Sequence, residues 1–423
     1  MRRPRSSTSM LAALVAVALV LVAAAVVLGR TAQPSGRTVV TVRLWDQQVA
    51  AAYRESFAQF TREHPDIEVH VNLVSYATYF DTLRTDVAGG GADDIFWINN
   101  SYFAEYADNG RLMPVDPAPD WEPSVVDQFT RNGVLWGVPQ LTDAGIALYY
   151  NADLLAADGV SPAELGDARW DPDPAIDTLR PLLTRLTHGR QWGYNAANDL
   201  QGIYLNYIGS AGGAFTTGDR FAFDNPGAVT AFDYVVGLIN TDRVSPPASD
   251  TNDNGDFSRN QFLAGRMAVF QSGTYNLAQI AQQATFRWGV AMLPTGPAGR
   301  VSVTNGIVAA GNPASRNPAA VREVLAWLGG TRGNEFVGRH GAAIPAVLPA
   351  QRAYFDYWSA KGVDVTPFFA VLQGPRIAAP GGAGFAAGYQ AIKPYFDEMF
   401  LGRRPVAPTL AAAQAAANTA ARR

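Results

Sequence analysis

From Thr38 onward, apolar and polar positions alternate between two periods. "TVVTVRLWD" (Thr38 to Asp46) is rich in β-formers, and "YRESFAQFTREHP" then sets Tyr53, Phe57 and Phe60 at helical spacing before Pro65 stops it. "IEVHVNLV" alternates Ile67, Val69, Val71 and Leu73 with Glu68, His70 and Asn72. "YFDTLRTDVAGGG" returns to helical spacing through Phe80, Leu83 and Val87 and ends in glycines, and "DDIFWIN" is a short buried strand. The succession predicts βαβαβ, a parallel sheet whose ligands lie beyond the strand carboxyl ends. At those ends stand Trp45, Asp46 and Gln47, then Ser75 to Tyr79, then Asn99 and Asn100.

The N-terminal stretch has neither period. Met10 to Leu28 is apolar on every face and follows Arg2, Arg3 and Arg5. A core helix would carry a polar face. Ala23 and Ala25 lie inside the apolar run, and Arg30 stands where a signal-cleavage site would want a small residue. The expectation is an uncleaved anchor in the cytoplasmic membrane, its basic head held in the cytoplasm and everything after Gly36 outside.

Composition narrows the chemistry. At 423 residues and 48% hydrophobic, the chain has material for more than one domain and a large core. The absence of cysteine excludes disulfides, thiolate metal sites, Cys nucleophiles and an N-terminal lipid-bearing Cys. Without the four arginines of residues 1–30, 29 basic residues face 37 acidic ones, so nucleic acid is excluded as a partner for want of a basic stripe. His64, His70, His188 and His340 are scattered with no metal-ligand spacing, and no Gly-x-Ser-x-Gly elbow occurs. "GSAGGAF" lacks the Lys of a phosphate loop and reads as a turn. No cofactor is expected.

Six segments then occur in a telling order: "VRLWDQ", "YFDTLRTDVAGGGADDIFWINNSYFAEYADNGRLMPVD", "GVPQLTDAGIALYYNADLL", "FLAGRMAVFQSGTYNLA", "WGVAMLPTGP" and "VTNGIVAAGNPASRNPAAVREVLAWLGG". In order and rough spacing the chain from Val39 resembles the extracellular sugar-binding proteins of ABC importers, the maltose-binding type. Two departures stand out: Arg30 lies near where Gram-positive relatives carry a lipid-bearing Cys, and Asn99-Asn100 occupies a place where many relatives have an Asp. The resemblance implies an α/β periplasmic-binding-protein fold with two lobes around a ligand cleft. Residues 1–36 are expected to be the basic head and membrane anchor or signal, 37–145 with 301–340 lobe 1, and 146–300 with 341–423 lobe 2. Chain crossings are expected near Gln140–Ile146, Pro294–Val301 and His340–Pro345. The implied protein is a bacterial, non-enzymatic monomer on the outer face of the cytoplasmic membrane. It would capture a mono- or short oligosaccharide, an amino sugar included, and deliver it to ABC permease subunits. Two rivals are a binder of a glycerophosphodiester or polyol phosphate and an anchored glycosidase.

A pyranose has an apolar C–H face and a rim of hydroxyls, so it calls for aromatic platforms and planar amides, carboxylates or Arg. Trp45, Tyr79 and Tyr275 are the candidate platforms, Tyr275 because the resemblance puts an aromatic after "AVFQSG". Asp46, Gln47, Asn99, Asn100, Asp143, Ser272, Asn305 and Arg376 are the candidate polar rim, with Gly212 and Gly306 for close backbone approach. Structural roles compete. Trp45 serves equally as core, Asp46 as a helix cap, Asn99 to Ser101 as a cap before "YFAEYA", Asp143 as a structural partner, Asn305-Gly306 as a turn and Arg376 as a solvated charge. Trp97, deeper in its strand, is assigned to core.

Overall fold

The computed structural model describes residues 36–422 apart from Asp143. The expected succession forms as β1 (Thr38–Leu44), α1 (Gln47–Glu63), β2 (Ile67–Leu73), α2 (Tyr76–Gly89) and β3 (Ile95–Asn99). β1 runs parallel to both β2 and β3, with Val40 beside Val69 and Val42 beside Ile95. Tyr53, Phe57 and Phe60 are buried along α1, and Phe80 and Leu83 along α2, so both helical stripes face the sheet.

β4 (Val138–Thr142) is the last strand of this lobe before the chain leaves it for a second sheet made of β5 (Ala147–Asn151), β6 (Val269–Ser272) and β7 (Trp288–Ala291). Those three run antiparallel with β5 in the centre. The chain returns through β8 (Ser302–Thr304) to β9 (Gly306–Gly311), and β10 (Arg376–Ala378) later pairs parallel with β8. The first sheet thus has the order β2-β1-β3-β9-β4, with β9 antiparallel to both neighbours.

Each lobe has its own core. The first gathers Val40, Phe57, Phe60, Trp97, Val308 and Leu328 among others. The second gathers Trp170, Tyr204, Phe232, Phe396 and Leu410 around the helices Pro226–Asn240, Phe385–Phe400 and Val406–Ala420. Successive side chains of β5 alternate: Leu148 joins that core, while Ala147 and Tyr149 join a third cluster with Phe270, Trp358 and Phe368 on the other face. The chain leaves the first sheet after Thr142 and enters the second at Ala147, and it crosses back at Asn305, later than Pro294–Val301, because Val303 still packs with the second core. Ala346, Val347 and Ala350 pack with the first core, so the chain stays with that lobe past Pro345. The expected anchor, Met10–Leu28, lies outside the described residues, among which no helix is long and apolar enough to cross a membrane.

Candidate functional site

The carboxyl ends of β1, β2 and β3 open on one side of the first sheet, and there the chain sets down its aromatics. Trp45 is half-buried and meets Tyr79 and Trp97 edge-on at 4.8 and 5.1 Å between ring centroids. It also meets Tyr76, at 5.5 Å. Trp45 is therefore both core and platform support.

Tyr79 does not serve as a platform. It is 0% exposed, and its hydroxyl donates to the backbone oxygen of Trp97 at 2.9 Å. The exposed ring is Tyr76, one turn earlier at the start of α2, with 55% of its area accessible. Although much of the ring is accessible, desolvation by the surrounding protein raises the pKa of its phenol, Tyr102, Tyr389 and Asp199 lie near enough to raise it further, and the side chain of Asn99 hydrogen-bonds it. Trp97, assigned to core, is 0% exposed.

Asp46 is the N-cap of α1. Its Oδ1 accepts from the backbone N–H groups of Gln48 and Val49 at 2.8 and 2.9 Å, while Oδ2 takes neither bond. The helix starts at Gln47, directly after Asp46, so the capping role holds and Gln47 is its exposed first residue. Burial raises the Asp46 pKa, and the two backbone bonds oppose that rise.

Asn99 and Asn100 end β3 and are 4% and 8% exposed. Neither they nor Ser101 caps the helix Phe103–Asp108, whose N-terminus at Tyr102 has no side-chain cap. Asn100 Nδ2 instead donates to Ala379 O at 3.1 Å, and Ser101 Oγ donates to Pro380 O at 2.7 Å. Ala379 packs with the second core, so these bonds span the two lobes. Arg131, bonded to Asp108 at 2.6 Å, also reaches Asp219 of the second lobe at 3.4 Å. The Oδ1 atoms of Asn99 and Asn100 are buried with no hydrogen-bond partner among the described residues. Such acceptors are costly unless a donor reaches them.

Facing this group from the second lobe is Asp199, which sequence reading missed. It caps a π-helical turn, Leu200–Tyr204, with Oδ1 accepting from Gly202 N at 2.9 Å. A Cβ at Gly202 would collide with Asp199 Oδ2, so the glycine makes room for the carboxylate. Asp199 is exposed in area, yet desolvation by the surrounding protein raises its pKa. Tyr389, half-buried on the helix Phe385–Phe400, stands beside it, with its phenol pKa pushed up to about 12 by burial. Its hydroxyl lies 3.4 Å from that of buried Tyr204.

Tyr275 follows the end of β6 and is 41% exposed. Its ring folds over Gly273, where any Cβ would collide with it. Tyr149 donates to Gly273 O at 2.8 Å, and Ser272 Oγ accepts from Asn276 Nδ2 at 2.8 Å, so Ser272 is buried and spends its hydroxyl on fixing this turn.

The remaining candidates divide. Asn305 Oδ1 accepts from its neighbour Gly306 N at 2.9 Å, a turn at the second crossing. A Cβ at Gly306 would stand 3.0 Å from Val125 Cγ1, so this glycine serves core packing. Gly212 has φ +72° and ends the helix Leu205–Ser210. Arg376 is exposed and begins β10 opposite Ser302. Asp143 lies outside the described residues.

Comparison with known proteins agrees with this two-lobed form. The model of the family "Bacterial extracellular solute-binding protein" matches residues 45–335. A probable ABC transporter-binding protein of Deinococcus radiodurans is 29% identical over 220 residues, a match spanning 50% of this chain and about half, 51%, of that protein. The crystal structure of UspC from M. tuberculosis is 72% identical, covers 90% of this chain and 100% of that one, and superposes with a TM-score of 0.73. An ABC substrate-binding protein from Listeria monocytogenes, solved in complex with cycloalternan, is 19% identical, covers 90% and 98% of the two chains and has a TM-score of 0.79. That last likeness concerns the fold. The chain belongs to the bacterial extracellular solute-binding proteins, a family that binds its ligands and does not transform them.

Proposed function

We propose that the protein captures a sugar between its lobes outside the cytoplasmic membrane, tethered there by Met10–Leu28, and delivers it to an ABC permease. The observation that carries this reading is the pairing of Tyr76 and Asn99 of one lobe with Asp199 and Tyr389 of the other. An exposed ring, unpartnered amide oxygens and a carboxylate suit a pyranose face with its hydroxyl donors. Trp45, Asp46, Gln47, Asn100 and Tyr275 complete the proposed contacts. The names of the Deinococcus and Listeria proteins support the transporter role and the carbohydrate class.

Charge separates the ligand classes. The proposed contacts hold two carboxyl groups, Asp46 and Asp199, and no Arg or Lys, which disfavours a phosphodiester or polyol phosphate and favours a neutral sugar or one bearing an amino group. The glycosidase reading gives way to the family, which is one of binding proteins.

UspC, at 72% identity, superposes less well than the 19% identical Listeria protein. At such identity the lobes share a backbone, so the difference supports two settings of one lobe against the other. A thermal-shift panel of neutral, aminated and phosphorylated mono- and disaccharides tests the ligand class. A true ligand at about 100 times its Kd stabilises the native state by roughly 2.7 kcal/mol. Scattering at saturation should show a smaller radius of gyration, and an unchanged radius would reject closure.

The Tyr275 platform has its own test. Tyr275→Ala should weaken the sugar by roughly 1–3 kcal/mol with little change in melting. Gly273→Ala, whose Cβ displaces the ring, should reproduce part of that loss. Calorimetric titration of both variants checks it, and full affinity in both would remove Tyr275 from the site.

A further inference from the structure

We propose that Asn206 is a positioning residue that ties the turn bearing Asp199 to the hinge, so that an occupied cleft sets the lobe angle. The proposal rests on the sugar-binding reading above. Leu200–Tyr204 is a π-helical turn in which Tyr204 N donates to Asp199 O, five residues back, at 3.0 Å. Such turns open the backbone ladder and leave carbonyls that need other donors.

Asn206 supplies them. Buried at 3% exposure, its Nδ2 donates to Gln201 O, Gly202 O and Ile203 O at 2.8, 3.1 and 3.3 Å. Its Oδ1 accepts from Val303 N at 3.0 Å. One amide therefore holds the π turn on one side and strand β8 on the other. Gln271 Nε2 braces the same turn with a bond to Gly202 O at 2.7 Å.

β8 carries the chain out of the second lobe, and it is also fastened to the first crossing. Ser302 Oγ accepts from Ile146 N at 2.8 Å. Gly145, beside it, leaves no room for a side chain: a Cβ there would lie 3.0 Å from Ser302 Oγ and collide with Val371. Hydrogen bonds joined by single residues of backbone thus lead from the Asp199 carboxylate through Gly202, Asn206 and Val303 to Ser302, which is bonded to the first crossing and lies on the strand that ends at the second. A ligand that draws on Asp199 shifts the turn, and the Asn206 amide passes that shift to β8. Coupling of this kind needs an element whose two arrangements both sites bias, and the pair of crossings is that element.

The absence of cysteine makes the test clean. Thr85→Cys and Ser249→Cys place spin labels on exposed positions of opposite lobes, and the distance distribution between them reports closure. Glucosamine and maltose are the probes, each brought to saturation as judged by calorimetry. In Asn206→Ala, the sugar that closes the unsubstituted labelled protein should still bind, weakened by no more than about tenfold, while the closed fraction at saturation falls by about half or more. Ser302→Ala removes the bond from Ile146 and a long one, 3.5 Å, to Asn206 Oδ1 but keeps the Asn206 Nδ2 bonds to the turn, and should lose closure with a smaller change in affinity. Equal closed fractions in all three proteins overturn the proposal. So does a loss of affinity and closure that merely follows a fall in Tm, the mark of a purely structural residue. If Asn206→Ala does not fold, unchanged closure in Ser302→Ala overturns it alone. A parent protein that closes with neither glucosamine nor maltose and is stabilised by no sugar of the thermal-shift panel refutes the sugar-binding reading instead, and that result is visible before any variant is compared.

Discussion

Tyr79→Ala is expected to destabilise the protein by about 3–5 kcal/mol, whereas Tyr76→Ala should leave melting almost unchanged and weaken sugar binding by roughly 1–3 kcal/mol. The two tyrosines lie one helical turn apart and have opposite environments. Tyr79 is fully buried, its ring against Trp45 and its hydroxyl bonded to Trp97 O at 2.9 Å and Arg43 O at 3.2 Å, so truncation opens a cavity and strands backbone acceptors. Tyr76 is 55% exposed and meets only part of its surroundings through the core. Denaturant melts of both variants, with calorimetric titration of Tyr76→Ala, check the pair. Undiminished affinity in Tyr76→Ala at full saturation would place the cleft elsewhere.

The sequence pattern alone does not separate these two residues, and the reason is geometric. Tyr76, Phe80, Leu83 and Val87 fall on one stripe at spacings of three and four, and Tyr79 lies beside it. Spacing identifies the inward face of α2, but the end of the stripe that overhangs the sheet is exposed, and only the sheet edge defines that end. Asp46 was hard to read as a cap for a related reason. The helix opens with polar Gln47 and Gln48, so its apolar stripe begins after its backbone does. The βαβαβ order and the burial of Trp97 were legible because they depend on local period. Asp199 and Tyr389 were not, because each comes to Tyr76 from a distant segment and neither "NDLQG" nor "FAAGYQ" differs from an ordinary cap or helix face. Asn99 and Asn100 were legible as residues at a strand end. That the Asn100 amide nitrogen would be taken by Ala379 O, leaving its oxygen unpartnered, follows only from how the lobes meet.

Asp199→Asn should discriminate between sugars by charge. Asn is as good an N-cap as Asp, so the bond to Gly202 N and the π turn should survive. What is lost is the carboxylate. A hydrogen bond to a charged group contributes about 1.5–3 kcal/mol, so glucosamine should bind that much more weakly, while a neutral sugar should change by less than about 1 kcal/mol. Burial raises the Asp199 pKa, so its contribution to stability is fully present below the ordinary carboxylate value near 3.9 and is lost as pH rises through the raised folded value. In the absence of sugar, the difference in stability between the parent protein and Asp199→Asn should therefore move in favour of the variant as pH rises through that window. Binding of glucosamine needs the ionised form and should strengthen over the same window in the parent protein alone. Titrations and melts of the two proteins at pH 4 to 7 check both signs together. An equal loss for neutral and amino sugars, or a glucosamine affinity in the parent protein that ignores pH, would mean that Asp199 acts only as a cap and that the cleft does not select for positive charge.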